Sequence, residues 1–89
     1  MGIAILKIKI LPESPNTNLE DIRKNVEQNL KNLGVVKANF EIEDIAFGLK
    51  ALIVTTALSE EIETEKAEEA CKVNGVSSCE IIDHRRAFG

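Results

Sequence analysis

Few residues in this chain have the type and spacing to do chemistry. His84 is the only histidine, and neither the serines nor the cysteines stand in a recognisable nucleophile setting, so a hydrolytic triad has no support. Alone near the C-terminal end, His84 reads as polar surface. Cys71 and Cys79 lie eight residues apart, form no CxxC, and have no second Cys pair or His ladder beside them. They read as two small buried hydrophobes, with a disulfide or a metal site as the alternative. The glutamates at 60, 61, 63, 65, 68 and 69 could hold a cation in principle, but a charge run on a short helix is a solvated face, and no site is assigned to it. Gly2, Gly34, Gly48, Gly75 and Gly89 stand singly, so there is no glycine-rich phosphate loop. Neither covalent catalysis nor a bound metal or cofactor is expected.

Two features remain. The chain has no Trp, no Tyr and only three Phe, yet one of these, Phe47, stands in the stretch IAFGL beside Gly48, just after the acidic pair Glu43 and Asp44 and before a strand-like run. A large apolar side chain next to a glycine at a strand entrance is either a core plug or a knob offered to something outside. The other feature is the cation pair Arg85 and Arg86 in the ending HRRAFG, either a solubilising tail or a partner contact.

The elements that must carry these residues follow from periodicity. Residues 3 to 11, IAILKIKIL, put Ala4, Leu6, Ile8 and Ile10 on one face and Lys7 and Lys9 on the other, which is a strand with one buried face. The turn cluster PESPNTN leads to Asn18 as N-cap, with Glu20 and Asp21 in the first helical turn where the helix dipole favours acids. A helix then starts near Leu19, runs through Ile22, Val26, Leu30 and Leu33, and stops at Gly34. From Val36 the period becomes two, with Val36, Ala38, Phe40 and Ile42 alternating with polar residues: a second strand with a wet face. Leu49 to Ala57 is apolar on both faces, as an interior strand requires. Residues 60 to 73 carry a weaker helical pattern, with Thr64 as a candidate internal start and Gly75 as its end. Val76 to Asp83 reads as a short last strand, followed by the polar tail.

The order βαββαβ, with short antiparallel connections and right-handed crossovers, leaves few arrangements. It predicts an α+β, ferredoxin-like split-βαβ sandwich: a four-stranded antiparallel sheet with two helices on one face, a single domain over 1–89. The other sheet face, with Lys7, Lys9 and Lys37 among apolar neighbours, is left for water or a partner. In this pairing the start of strand three and the end of strand four are expected at the same edge region, which would join Phe47–Gly48 and Arg85–Arg86 in one patch.

At 89 residues the chain can build one modest core, burying about 60 to 65% of its unfolded surface. With 44% hydrophobic and 29% charged residues it is an ordinary soluble composition. A net charge of -4 argues against general nucleic-acid affinity, which rests on neutralising phosphates, and suits a basic partner surface. No apolar run approaches the roughly 18 residues of a membrane span, and the start MGIAILK lacks the charged flank and cleavage site of a signal peptide. A cytoplasmic protein without membrane contact is expected.

The stretches IKILPESPNTNLEDIRKNV, IEDIAFGLKALIV and NGVSSCEIIDHRR, in this order and spacing, resemble the archaeal translation elongation factor 1-beta family. The resemblance covers essentially the whole chain and rests on the strand-to-Pro-Glu-Ser-Pro turn, the Ile-Ala-Phe-Gly-Leu corner and the Glu-Ile-x-Asp-x-Arg-Arg ending. It implies the ferredoxin-like fold and guanine-nucleotide exchange on the elongation factor 1-alpha GTPase, by a monomer without covalent chemistry. In related eukaryotic factors the aromatic of a Gly-Phe-Gly or Gly-Tyr-Gly corner contacts the GTPase and a near-terminal Lys reaches its magnesium site. Those roles would fall on Phe47, with Gly48 beside it, and on Arg86. Here Ala46 replaces the first Gly, Arg86 replaces the Lys with a planar fork, and His84 stands where archaeal relatives more often carry an aliphatic residue. The expected partner-binding set is Phe47, Gly48, Lys50, Arg85 and Arg86. The alternative class is a small ferredoxin-like regulatory or RNA-binding module, which would need an intersubunit pocket or exposed aromatics on the central strands.

Overall fold

Strict alternation in the first ten apolar-rich positions decides which way the sheet faces. The computed structural model describes residues 2–35 and 37–88. Strand β1 is Ile3–Pro12, and its residues Ala4, Leu6, Ile8 and Ile10 are all exposed by 5% or less, because successive strand side chains point to opposite faces. Helix α1, Leu19–Asn32, begins as the capping residues dictate: the Asn18 side-chain oxygen accepts the Glu20 backbone N–H at 2.9 Å. Its apolar stripe buries Ile22, Val26 and Leu30. The helix closes with a Schellman pair, Gly34 N–H donating to Lys31 O at 3.0 Å and Val35 N–H to Leu30 O at 3.2 Å. Gly34 makes this possible by taking φ 88°.

Strands β2, Lys37–Asp44, and β3, Lys50–Ser59, form a hairpin; helix α2 is Thr64–Ala70 and strand β4 is Val76–Phe88. The sheet order is β2-β3-β1-β4, antiparallel at every pair. This is the predicted ferredoxin-like sandwich. Both helices cover one face, where Ile22, Val26 and Leu30 from α1 and Ala67, Ala70 and Cys71 from the α2 region meet Leu6, Ile8, Ile10, Leu52, Val54 and Leu58. The Asn29 side chain ties the helices together by donating to the Ala70 carbonyl at 3.0 Å, which satisfies an acceptor left free at the end of α2. Strand β3 is interior as expected, with Ala51, Leu52, Ile53 and Val54 buried on both faces.

One expectation, at Val36, lies outside the described residues, and β2 is described from Lys37. Three others change. Ile42 belongs by register to the helix side, opposite Leu52, yet is 61% exposed. It sits on an edge strand beside the start of α1, where a groove of about 390 Å³ opens between Leu19, Ile42 and Lys50. Helix α2 is half the length of the 60–73 pattern: residues 60–63 and 71–75 are turns that carry Ile62 and Val73 back onto the core, and Gly75, at φ 91°, turns the chain into β4 instead of ending the helix. Finally, β4 does not stop at Asp83. It runs on to Phe88, with Arg85 opposite Ile5 and Arg86 opposite Ala4 on β1. The first half of β1 would otherwise lack a partner on that side, and an edge strand tolerates the polar residues that made this segment read as a tail.

Candidate partner-binding site

The corner between β2 and β3 is closed by two backbone hydrogen bonds, Ile45 N–H to Leu49 O at 2.8 Å and Leu49 N–H to Ala46 O at 3.2 Å. Between them Phe47 sits at φ 61°, ψ 33° and Gly48 at φ 77°. Two successive positive φ values are the signature of a type I′ turn, whose natural occupants are Asn-Gly or Asp-Gly. Gly48 meets that demand. Phe47 does not: an L residue there costs roughly 1 to 2 kcal/mol, and among the described residues it is the only non-glycine with positive φ. Its side chain recovers nothing inside the molecule, because Phe47 is 95% exposed. The core plug therefore fails, and the ring stands on the open surface. Lys50 stands exposed at the start of β3, opposite Asp44 across the hairpin, and with Gly48 and Ile42 it lines the groove beside α1.

At β4 the two arginines differ. Arg85 is opposite Ile5, on the sheet face away from the helices, and its Nε donates to Asp83 at 2.9 Å. Arg86 is opposite Ala4, on the helix side, and holds Glu60: Nη2 donates to Glu60 Oε2 at 2.7 Å and Nε to the same oxygen at 3.1 Å. Glu60 stands in the turn after β3, and its backbone N–H donates to Gly2 O at 3.1 Å. His84, exposed and opposite Leu6, lines a cavity of about 190 Å³ next to this pair, with Leu6, Leu58 and Glu63.

The corner and the arginines do not form one patch. Strands β3 and β4 are both antiparallel to β1 and so parallel to each other. The start of one and the end of the other must then lie at opposite ends of the sheet. From Ala4, opposite Arg86, the register runs six residues to Ile10, opposite Leu52, and two more along β3 to Lys50, about 26 Å at 3.3 Å per residue. Phe47 lies beyond that, in a molecule 42 Å long. The candidate site is two ends: an exposed aromatic with a lysine at one, a cation at the other.

Both cysteines are free; burial pushes the thiol of Cys71 up to about 12 and that of half-buried Cys79 up to about 11, so neither supplies a thiolate nucleophile near neutrality. Ile42 and Glu60, placed by periodicity and by a charge run, are the two residues near the ends that the sequence does not mark as site residues. Glu60 was one glutamate among six, and its partner is 26 residues away in the chain, so no local pattern could have marked it.

The profile of the EF-1 guanine nucleotide exchange domain matches residues 5–86, nearly the whole chain. The chain belongs to that family. Its relatives include elongation factor 1-beta of Methanosarcina barkeri, 43% identical over 93% of this chain and 96% of that protein. Elongation factor 1-beta of Methanothermobacter thermautotrophicus is 39% identical over 97% and 98% of the two chains, and that of Haloarcula marismortui 41% over 91% and 93%. Both ends of the exchange domain, from the Phe47 corner to Arg86, fall inside the matched span.

Proposed function

We propose that this exchange domain, the whole of 1–89 acting as a single unit and as a monomer, promotes GDP release and GTP reloading on the elongation factor 1-alpha GTPase during translation elongation, in the cytoplasm. The observation that carries this most is Phe47, a fully exposed aromatic held at a strained backbone position. The strain works against the isolated fold and the exposed ring offsets none of it, and such a combination persists where a partner gains from it. The contact set is Phe47, Gly48 and Lys50 at one end and Arg85 and Arg86 at the other. One copy touches two separate areas of the GTPase, because the ends are about 26 Å apart or more.

Exchange by such a protein makes and breaks no covalent bond. It is a linkage: a factor that binds the nucleotide-free GTPase more tightly than the loaded one must weaken nucleotide by the same ratio. Arg86, carried near the end of β4, brings a cation to the place where a magnesium ion would screen the phosphates, and competes with it. Phe47, buried in the partner, holds the complex in the displaced arrangement. A thousandfold acceleration needs about 4 kcal/mol of differential contact. One buried aromatic and one desolvated charge, each about 2 kcal/mol, supply that. An RNA-binding sheet would need aromatics on the central strands, and β1 and β3 carry none.

The linkage is tested by measuring the affinity of this protein for its GTPase empty and GDP-loaded, and the affinity of the GTPase for GDP with and without this protein. The two ratios should be equal and large. Equal affinity for empty and loaded GTPase would exclude exchange by this route.

A further inference from the structure

The ion pair at the β4 end assigns a role to a residue outside the expected contact set. We infer that Glu60 is a positioning residue that presets the Arg86 guanidinium for the GTPase; this rests on the proposed contact between Arg86 and that partner. Arg86 meets Glu60 Oε2 through Nη2 at 2.7 Å and Nε at 3.1 Å, so one edge of its planar fork is occupied. The opposite edge, Nη1 and the outer hydrogen of Nη2, points away from that carboxylate, makes no hydrogen bond among the described residues and keeps its donors for a second acceptor. The Arg86 side chain is 67% exposed and that of Glu60 29%, so the acid is the anchored member and the cation the presented one. The anchor is firm at the backbone too, since the Glu60 N–H is tied to Gly2 O at 3.1 Å.

A free arginine carries about 2 kcal/mol of rotamer entropy, part of which is lost when a partner captures it. Glu60 takes that loss in the free protein, before docking. The other acids nearby differ in geometry: Glu61 and Glu63 are exposed and make no ion pair among the described residues. An ion pair this exposed does little for the stability of the isolated fold, so its effect should be read in the complex.

The test is a cycle of Glu60→Ala and Arg86→Ala, read by release of a fluorescent guanine nucleotide from the GTPase and by thermal melts of each variant alone. Glu60→Ala should slow exchange about fivefold in the wild-type background, the upper end for an exposed pair. In the Arg86→Ala background it should change nothing. Glu60→Gln, which keeps an acceptor oxygen in place, should recover part of the loss. An equal loss in both backgrounds would mean that Glu60 only shapes the turn after β3, and exchange unchanged or faster in Glu60→Ala would mean that the pair is idle or restrains Arg86; each outcome overturns the inference while leaving Arg86 as a contact. If Arg86→Ala itself exchanges like the wild type, the underlying contact fails and the inference with it.

Discussion

Replacing Phe47 by Asn should make the protein more stable and nearly useless. At 95% exposure the ring contributes no burial to the monomer, so its removal costs the fold nothing. The backbone gains: φ 61°, ψ 33° is a conformation Asn adopts readily and Phe does not, and relief of the strain is worth up to about 1 kcal/mol. For a domain of this size that raises the melting temperature by up to about 4 to 8 °C. Exchange should move the other way. Losing an aromatic that is buried only in the complex costs about 2 kcal/mol, or about thirtyfold in the rate of nucleotide release at subsaturating factor. Thermal melts and fluorescent-nucleotide release on the same preparations decide it, with Phe47→Tyr retaining most of the activity as the aromatic control. A fall of several degrees in Phe47→Asn would show that the ring packs within the fold. Unchanged exchange would show that the exposed aromatic has no partner on the GTPase.

Arg86→Ala should slow release at least tenfold while the melt moves little, and the deficit should change as magnesium is varied; an identical deficit at all magnesium concentrations would exclude competition with the ion. Because the two ends are far apart and share no contact, Phe47→Asn and Arg86→Ala should add within about 0.5 kcal/mol in a double-mutant cycle, and a stronger coupling would contradict the two-ended geometry. The buried thiols give a pH prediction. Cys71 and Cys79 titrate at about 12 and about 11 in the fold against 9.0 for an ordinary thiol, so the unfolded chain releases their protons first. The thiols' contribution to stability is therefore full below pH 9 and is lost as pH rises from there towards 12, and replacing both cysteines by Ala should flatten that limb.

Where one physical rule governed a segment, its structure was legible in the sequence. The two-residue period of β1 named its buried face, the Asn18 and Gly34 caps bounded α1, and the doubly apolar β3 could only be interior. The rest depended on rules in competition. Helical periodicity over 60–73 was overridden because Ile62 and Val73 reach the core from turns, and HRRAF looked like a tail because charge marks solvent whether or not the backbone is paired. The separation of Phe47 from Arg86 is different in kind: it follows from the βαββαβ order itself, since two strands antiparallel to a third are parallel to each other. Their expected meeting at one edge was an error of geometry. The state of Phe47, knob or plug, was open in the sequence because both uses place a large apolar residue beside a glycine. Only the turn angles and the exposure separate them.

The most direct measurement is the release rate of a fluorescent GDP from the elongation factor 1-alpha GTPase of the same cells, chased with unlabelled GTP, as this protein is titrated in at substoichiometric and then saturating amounts. Exchange by linkage predicts that a small fraction of an equivalent empties the whole GTPase population, with acceleration of a hundredfold or more at saturation and a much smaller acceleration in Phe47→Asn and Arg86→Ala. A release rate that stays at its spontaneous value at every concentration, with the two proteins nonetheless mixed and folded, would contradict the assignment.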